Sequence, residues 1–251
     1  MDVFLEQVPG RTRRSLISQI GVSHPLQATS IEALVPEIEQ LSEHGIRYVS
    51  LRRQQLLQLG EHTLQEMLSD AGISVSCVGF AGGFTGSLGL TFDQSLEDTR
   101  KAIEAAADLD ARFLVLLPGE QGLHTYNHAE RSIRIGLTNA LYHARRRQIR
   151  LLVPTDTVLG HRKDHFRPRQ CPLTWVERMT SDWIRPLIVV RGRNGTCHLP
   201  EGWRQSLAQG GCLRICHRCK SYERNSRILN RLLSFLSRNS GTSDVEAIAA
   251  E

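Results

Sequence analysis

No run of apolar residues in this chain approaches the roughly 20 that a bilayer-crossing helix needs. The N-terminus also lacks the charged segment followed by an apolar one that marks a secretory signal. The expectation is a soluble, cytoplasmic protein that does not engage a membrane. Neither the phosphate-binding P-loop nor the dinucleotide-binding glycine fingerprint occurs. No short-period repeat is found either, which excludes solenoids and propellers. In a reducing compartment the six cysteines, four of them between Cys197 and Cys219, are expected as thiols or metal ligands rather than disulfides.

What is present is enough for one domain. With 251 residues and 40% hydrophobic residues, the chain has the size and apolar content of a single α/β barrel. Its formal net charge is +5. The excess gathers at Arg11, Arg13 and Arg14, at Arg145 to Arg147, and from Arg162 to Arg169. Such clusters attract phosphate, nucleic acid or anionic lipid, or simply form solvated positive surface.

Segments rich in branched apolar residues recur at Leu16–Val22, Ile46–Leu51, Ile73–Phe80, Arg112–Leu117 and Ile149–Val153. Helix-like sequence fills the gaps, an alternation that predicts a parallel α/β fold. Thr29-x-x-Glu32, Thr63-x-x-Glu66 and Asn127-x-x-Glu130 read as capping boxes. Ile31, Leu34, Val35, Ile38 and Leu41 form a helical stripe, with Pro36 expected to bend or shorten it. Phe92 to Leu109 is a further helix, with Leu96, Ile103, Ala106 and Ala107 facing inward. The helix capped at Asn127 runs to about Arg147.

Later elements are a sixth strand at Leu187–Val190, a seventh at Leu213–His217 and a last amphipathic helix through Ile228 and Leu236. No segment supplies an eighth strand. The expected organisation is a flexible basic arm over 1–15, a TIM-type (β/α) barrel over 16–238 that is incomplete or distorted at its C-terminal end, and a disordered tail over 239–251. Seven strands leave the first and last facing a gap. The N-terminal arm, the last helix or a second copy in a homo-oligomer would cover those edges.

Three stretches carry a resemblance to a known family: Gly45-Ile46-Arg47-Tyr48-Val49-Ser50-Leu51-Arg52; Ala71-Gly72-Ile73-Ser74-Val75-Ser76 leading into Phe80-Ala81-Gly82-Gly83-Phe84-Thr85-Gly86; and the run from Ser95 through Ala105-Ala106 to Leu116-Leu117-Pro118-Gly119. In order and spacing they resemble the xylose isomerase-like TIM barrels, the sugar phosphate isomerases and epimerases together with the endonuclease IV type of repair enzyme. The resemblance covers roughly residues 16–155. It implies a divalent metal such as Mn²⁺ or Mg²⁺ at the C-terminal mouth of the barrel, held by Glu, Asp, His and Glu from strands 5 to 8. It also implies a carboxylate that moves the proton beside a sugar carbonyl.

The chain departs from that pattern at the ligands. Leu151-Leu152-Val153-Pro154 places Val153 where the family carries Glu, and Arg191 and Asn194 stand at the strand-6 Asp and His positions. His217 or Cys219 could take the strand-7 histidine position, and the strand-8 Glu is absent. A cation at a unit charge of the same sign about 4 Å away is repelled by ~4 kcal/mol at an effective dielectric of 20. The expectation is therefore no metal cofactor, with Asp156 the only nearby carboxylate that could substitute for Glu.

His24, at the end of the first strand, and Asp156 are the candidate catalytic, proton-handling residues. His124, Arg162, Arg191 and His217 are candidates for binding substrate. The arginines, with the basic segment His161–Arg169, suit an anionic group. His128 accompanies His124 after the fourth strand. Gly82-Gly83-Phe84-Thr85-Gly86 would let backbone approach a ligand, or is a structural turn. Cys212-x-x-x-Cys216-x-x-Cys219 has iron–sulfur spacing, and Cys197 with His198 could join a zinc site, but ordinary thiols satisfy both patterns. Three functions stay open: a divergent isomerase or epimerase binding a sugar or sugar phosphate, a non-catalytic binding relative (a pseudoenzyme), and a nucleic-acid binder.

Overall fold

The computed structural model describes residues 4–5, 24–43, 45–154, 183–193, 196–198 and 212–216. Their elements are β1 (Phe4–Leu5), β2 (His24–Pro25), α1 (Ile31–Glu43), β3 (Tyr48–Arg52), α2 (Arg53–Leu59), α3 (Glu61–Asp70), β4 (Ser74–Gly82), α4 (Phe92–Asp108), β5 (Phe113–Leu117), α5 (Tyr126–Arg147), β6 (Arg150–Pro154), β7 (Ile184–Arg193), β8 (Thr196–His198) and β9 (Cys212–Cys216). The sheet order is β1-β9-β7-β6-β5-β4-β3-β2, with β8 on β7. β2 to β7 and β9 are mutually parallel, which makes seven parallel strands among the described residues. The parallel α/β architecture expected from the alternation is the one observed.

The strand boundaries explain themselves through two core layers. Along β5, Leu114 and Leu116 join the helix-facing core while Phe113 and Val115 face the other way. In β6, Leu151 and Val153 face the helices and Leu152 the interior. Cys77, Phe113, Val115, Leu152 and Leu187 fill that interior, so alternate residues of each strand are buried on both faces, as a parallel sheet requires. The first strand expected at Leu16–Val22 lies outside the described residues; His24 and Pro25, expected as its end, are themselves paired with Val49 and Ser50. Phe4 and Leu5 run antiparallel along β9, opposite Arg214 and Leu213, and so cover one of the two sheet edges.

Helix starts differ from the sequence reading in detail. Ser30, not Thr29, caps α1, its Oγ accepting from the Ala33 N–H at 3.4 Å. Ile31 and Val35 are exposed, and Glu37 takes a buried place in the stripe beside Leu34, Ile38 and Leu41. Pro36 sits inside α1 without shortening it. Thr125, not Asn127, caps α5 by accepting from the His128 N–H. α2 was not anticipated, and α3 begins at Glu61 because Gly60, at φ +81°, separates the two helices. The α4 start is a reciprocal box: Thr91 Oγ1 accepts from the Gln94 N–H and Gln94 Oε1 from the Thr91 N–H.

One close approach locks the outer layer to the mouth. Phe84, in the loop after β4, is 1% exposed, and its ring lies against Gly136 of α5, where an added Cβ would fall 2.2 Å from Cγ. We expect Gly136→Ala to cost about 1–3 kcal/mol through overpacking. Chemical denaturation against the parent protein checks it; an unchanged midpoint would mean the ring has room to retreat.

Candidate functional site

The mouth of the barrel is built by loops that follow the C-terminal ends of the strands. After β2 the chain is pinned on both sides. The Glu37 carboxylate accepts from the Gln27 N–H (2.8 Å) and the Ala28 N–H (2.6 Å). Gln55 Nε2 donates to the carbonyls of Leu26 and Ala28 at 2.9 and 2.8 Å, and Gln55 Oε1 accepts from the Arg52 N–H. Two buried polar side chains thus consume four backbone groups of a three-residue turn, which satisfies groups that would be costly if left unpaired.

The loops after β4 and β5 grip each other. The N–H groups of Gly83 and Phe84 donate to the carbonyls of Leu117 and Pro118 at 2.7 and 3.0 Å. Gly82, at φ +106°, lies so close to Leu117 that a Cβ would fall 2.2 Å from its carbonyl oxygen. Of the two readings of this glycine segment, the structure therefore supports packing: backbone approaches backbone. Arg53 adds a two-pronged ion pair to Asp98 (2.6 and 2.8 Å) and a contact to the Phe80 carbonyl, tying α2, α4 and the end of β4 together.

His124 reaches across this joint. Its Nε2 lies 3.0 Å from the Thr85 carbonyl, which can only accept, so Nε2 is the donor of this bond. The His128 ring lies 4.8 Å away, centroid to centroid. Gln121 Nε2 donates to the His124 carbonyl. Beside them Thr85 Oγ1 and Gln121 Oε1 are buried and, among the described residues, have no hydrogen-bond partner.

Of the other sequence candidates, His24 has its backbone in β2 opposite Val49, and Arg191 stands near the end of β7, in register with His198 and Cys216. Asp156, Arg162 and His217 lie outside the described residues. Cys212 and Cys216 share β9, and Cys219 is outside the described residues. Glu37, Gln55 and the Arg53–Asp98 pair belong to no sequence motif. The available signal was a charged residue within an apolar helical stripe: Glu37 falls three residues after Leu34 and four before Leu41.

Of the positions the resemblance assigns to a metal, only Val153 and Arg191 are among the described residues; Asp156, Asn194, His217 and Cys219 lie outside them. Val153, expected at the place of the family's Glu, is fully buried in the helix-facing core instead of facing the mouth, and Pro154 is buried at the strand end. Among the described residues no three His, Cys, Asp or Glu side chains gather as a metal set. No helix among them is long and apolar enough to cross a membrane.

Burial pushes the Glu37 carboxyl above its usual range, outweighing the Gln27 and Ala28 N–H groups. The exposed Glu97 carboxyl is instead pulled down to about 2, first by its hydrogen bond from Arg100. The signs differ. Glu37 contributes stability that is full below the unfolded value and is lost as pH rises through its raised folded value. Glu97 contributes stability present above its unfolded value and lost as pH falls toward 2, a small effect at an exposed site. We expect the urea midpoint of the parent, relative to Glu37→Gln, to rise between pH 7 and pH 5. A difference independent of pH would remove Glu37 as the titrating group.

Comparison with known proteins agrees with this architecture. The family model described as xylose isomerase-like TIM barrel matches residues 38–188. The chain belongs to that family. Among solved structures, a xylose isomerase domain protein from Alicyclobacillus acidocaldarius is similar at 12% identity, with 86% of this chain and 98% of that one covered and a TM-score of 0.58. The 3-keto-D-glucoside 4-epimerase YcjR of E. coli is similar at 10% identity over 86% and 98%, with a TM-score of 0.57. A Sinorhizobium meliloti protein is 20% identical over 66% of this chain, with a TM-score of 0.51, and the match spans 62% of its own length. At these identities the likeness shows the fold. No curated protein matches.

Proposed function

We propose that this chain is a divergent relative of the sugar isomerases and epimerases that binds a sugar or sugar phosphate at the barrel mouth without the family's divalent metal. The observation that carries this reading is the polar joint between the loops after β4 and β5. There His124, held on the Thr85 carbonyl by its Nε2 and on Gln121 by its own carbonyl, joins two residues whose buried oxygens, Thr85 Oγ1 and Gln121 Oε1, lack partners among the described residues. A buried oxygen left unpaired costs about 1–3 kcal/mol. A polyol hydroxyl can donate to one oxygen and accept from another, so it suits this set. Arg162 and Arg191 are the candidates for a phosphate, and His217 for a further hydroxyl. His24 and Asp156 are the groups for any surviving proton transfer. The likeness in fold to the 3-keto-D-glucoside 4-epimerase YcjR supports the same ligand class.

A thermal-shift panel of sugars and sugar phosphates in excess chelator tests it. A ligand at one hundred times its dissociation constant adds about 2.7 kcal/mol, a rise of about 5–10 °C for a domain of this size. His124→Ala should weaken that ligand by about fivefold, the worth of one hydrogen bond. If no sugar stabilises the chelated protein while turnover appears with added Mn²⁺, the reading fails.

A further inference from the structure

α4 and α5 lie side by side on the outside of the barrel, and their exposed faces carry opposite charge. α5 holds Arg131, Arg134, Arg145, Arg146 and Arg147, all exposed, against one acid, Glu130. None of these arginines forms an ion pair with a described residue. Between the two arginine groups stand Ile135 and Tyr142, 44% and 57% exposed, with the Arg146 guanidinium over the Tyr142 ring. α4 and the turn after it expose Asp93, Glu97, Asp108 and Asp110; Glu97 is already paired with Arg100 and the exposed Lys101, which leaves Asp93, Asp108 and Asp110 as the free acids of this face among the described residues. The division runs through the chain: residues 24–110 carry 13 Asp or Glu and 5 Lys or Arg, residues 111–251 carry 11 and 23.

We infer that this face docks a second copy of the chain, with α4 of each protomer on α5 of the other. The heights match. Both helices follow a parallel strand and so run the same way, and each ends just before the next strand. Counted back from those ends, Asp93 stands 15 residues before Asp108, while Arg131 and Arg134 stand 16 and 13 before Arg147. At 1.5 Å per residue these are spans of about 20–24 Å. A two-fold axis parallel to the helices and between them sets α4 over the partner's α5 in the same direction. Asp93 then faces the Arg131–Arg134 end, Asp108 and Asp110 face the Arg145–Arg147 end, and the two Tyr142 side chains lie inward. The patch is isologous, as a two-fold interface must be.

Two helices of this length cover about 500 Å² per partner, or about 1,000 Å² in total, the lower limit of a specific interface. The dimer should therefore be weak and sensitive to salt. A nucleic acid suits this face less well, because the acids of α4 lie about one helix diameter (~10–12 Å) from the arginines, a separation comparable to the Debye length of ~10 Å at 0.1 M salt, so they repel phosphate there.

Sedimentation velocity on the full chain tests the assignment. A dimer at about 50 mM salt should dissociate at about 500 mM. Asp93→Arg, and separately Arg131→Glu with Arg134→Glu, should each raise the dissociation constant about tenfold or more. Circular dichroism verifies that both variants stay folded. Mixed together they should associate again, because the basic α4 of one then meets the acidic α5 of the other, and the reverse. A monomer at low salt, a dimer indifferent to both reversals, or a mixture that stays monomeric would overturn the inference. So would a wild-type chain that binds a short DNA duplex through these arginines without self-associating.

Discussion

Phe84→Ala should unfold about 6–20 °C below the parent protein. The ring is 1% exposed, belongs to the helix-facing core and occupies a recess that Gly136 leaves open on α5. Removing it deletes buried apolar surface and leaves a cavity that the helix cannot collapse into, for a cost of about 3–5 kcal/mol. The consequence reaches the mouth, because Phe84 anchors the segment whose next residue, Thr85, receives the His124 hydrogen bond. The variant should lose ligand affinity as well as stability. Differential scanning calorimetry checks the first part. A fall below about 3 °C would mean that the loop, rather than the ring, holds the β4–α4 connection.

Gln55→Leu is the second large effect. The substitution keeps the volume but removes three hydrogen bonds at once, leaving the carbonyls of Leu26 and Ala28 and the Arg52 N–H without their partner. Each buried group left unpaired costs about 1–3 kcal/mol, and relaxation toward solvent recovers part, so a loss of about 2–5 kcal/mol is expected. Glu37 holds the same turn from the opposite side. A double-mutant cycle between Gln55→Leu and Glu37→Gln should therefore show coupling rather than additivity. Additive losses would mean that the turn after β2 does not act as one unit. Hydrogen exchange at the Gln27 and Ala28 amides follows the same clamp directly, since both N–H groups should exchange faster in Glu37→Gln.

The sequence made the fold legible where burial is two-sided and periodic. Leu114, Leu116 and Leu151 sit in apolar runs short enough to be strands, and α4 and α5 carry apolar stripes of helical period. The Thr91–Gln94 box escaped notice although it obeys the capping pattern, and the Asn127 box was two residues late because Thr125 is the group that reaches an N–H. α2 escaped because Arg53–Leu59 is too short for a helical stripe to repeat. Glycines of the β4 loop were ambiguous in one dimension: only the approach of Leu117 and the Phe84–Gly136 contact decide that they serve packing. The site was legible at the level of residue type. His124 could be picked out as a histidine after a barrel strand, but its partner, the Thr85 carbonyl, is 39 residues away in the chain and no local spacing reveals it. Polar side chains that hold backbone, such as Glu37 and Gln55, resemble surface residues until the turn they clamp is folded.

The proposed function requires a barrel mouth that holds its ligand by direct contacts and without a cation. Isothermal titration of Mn²⁺ into chelator-treated protein tests this most directly. We expect no stoichiometric binding in the micromolar range, and the same sugar-induced stabilisation with and without the ion. One equivalent of Mn²⁺ bound at micromolar affinity and lost in Asp156→Ala would contradict it.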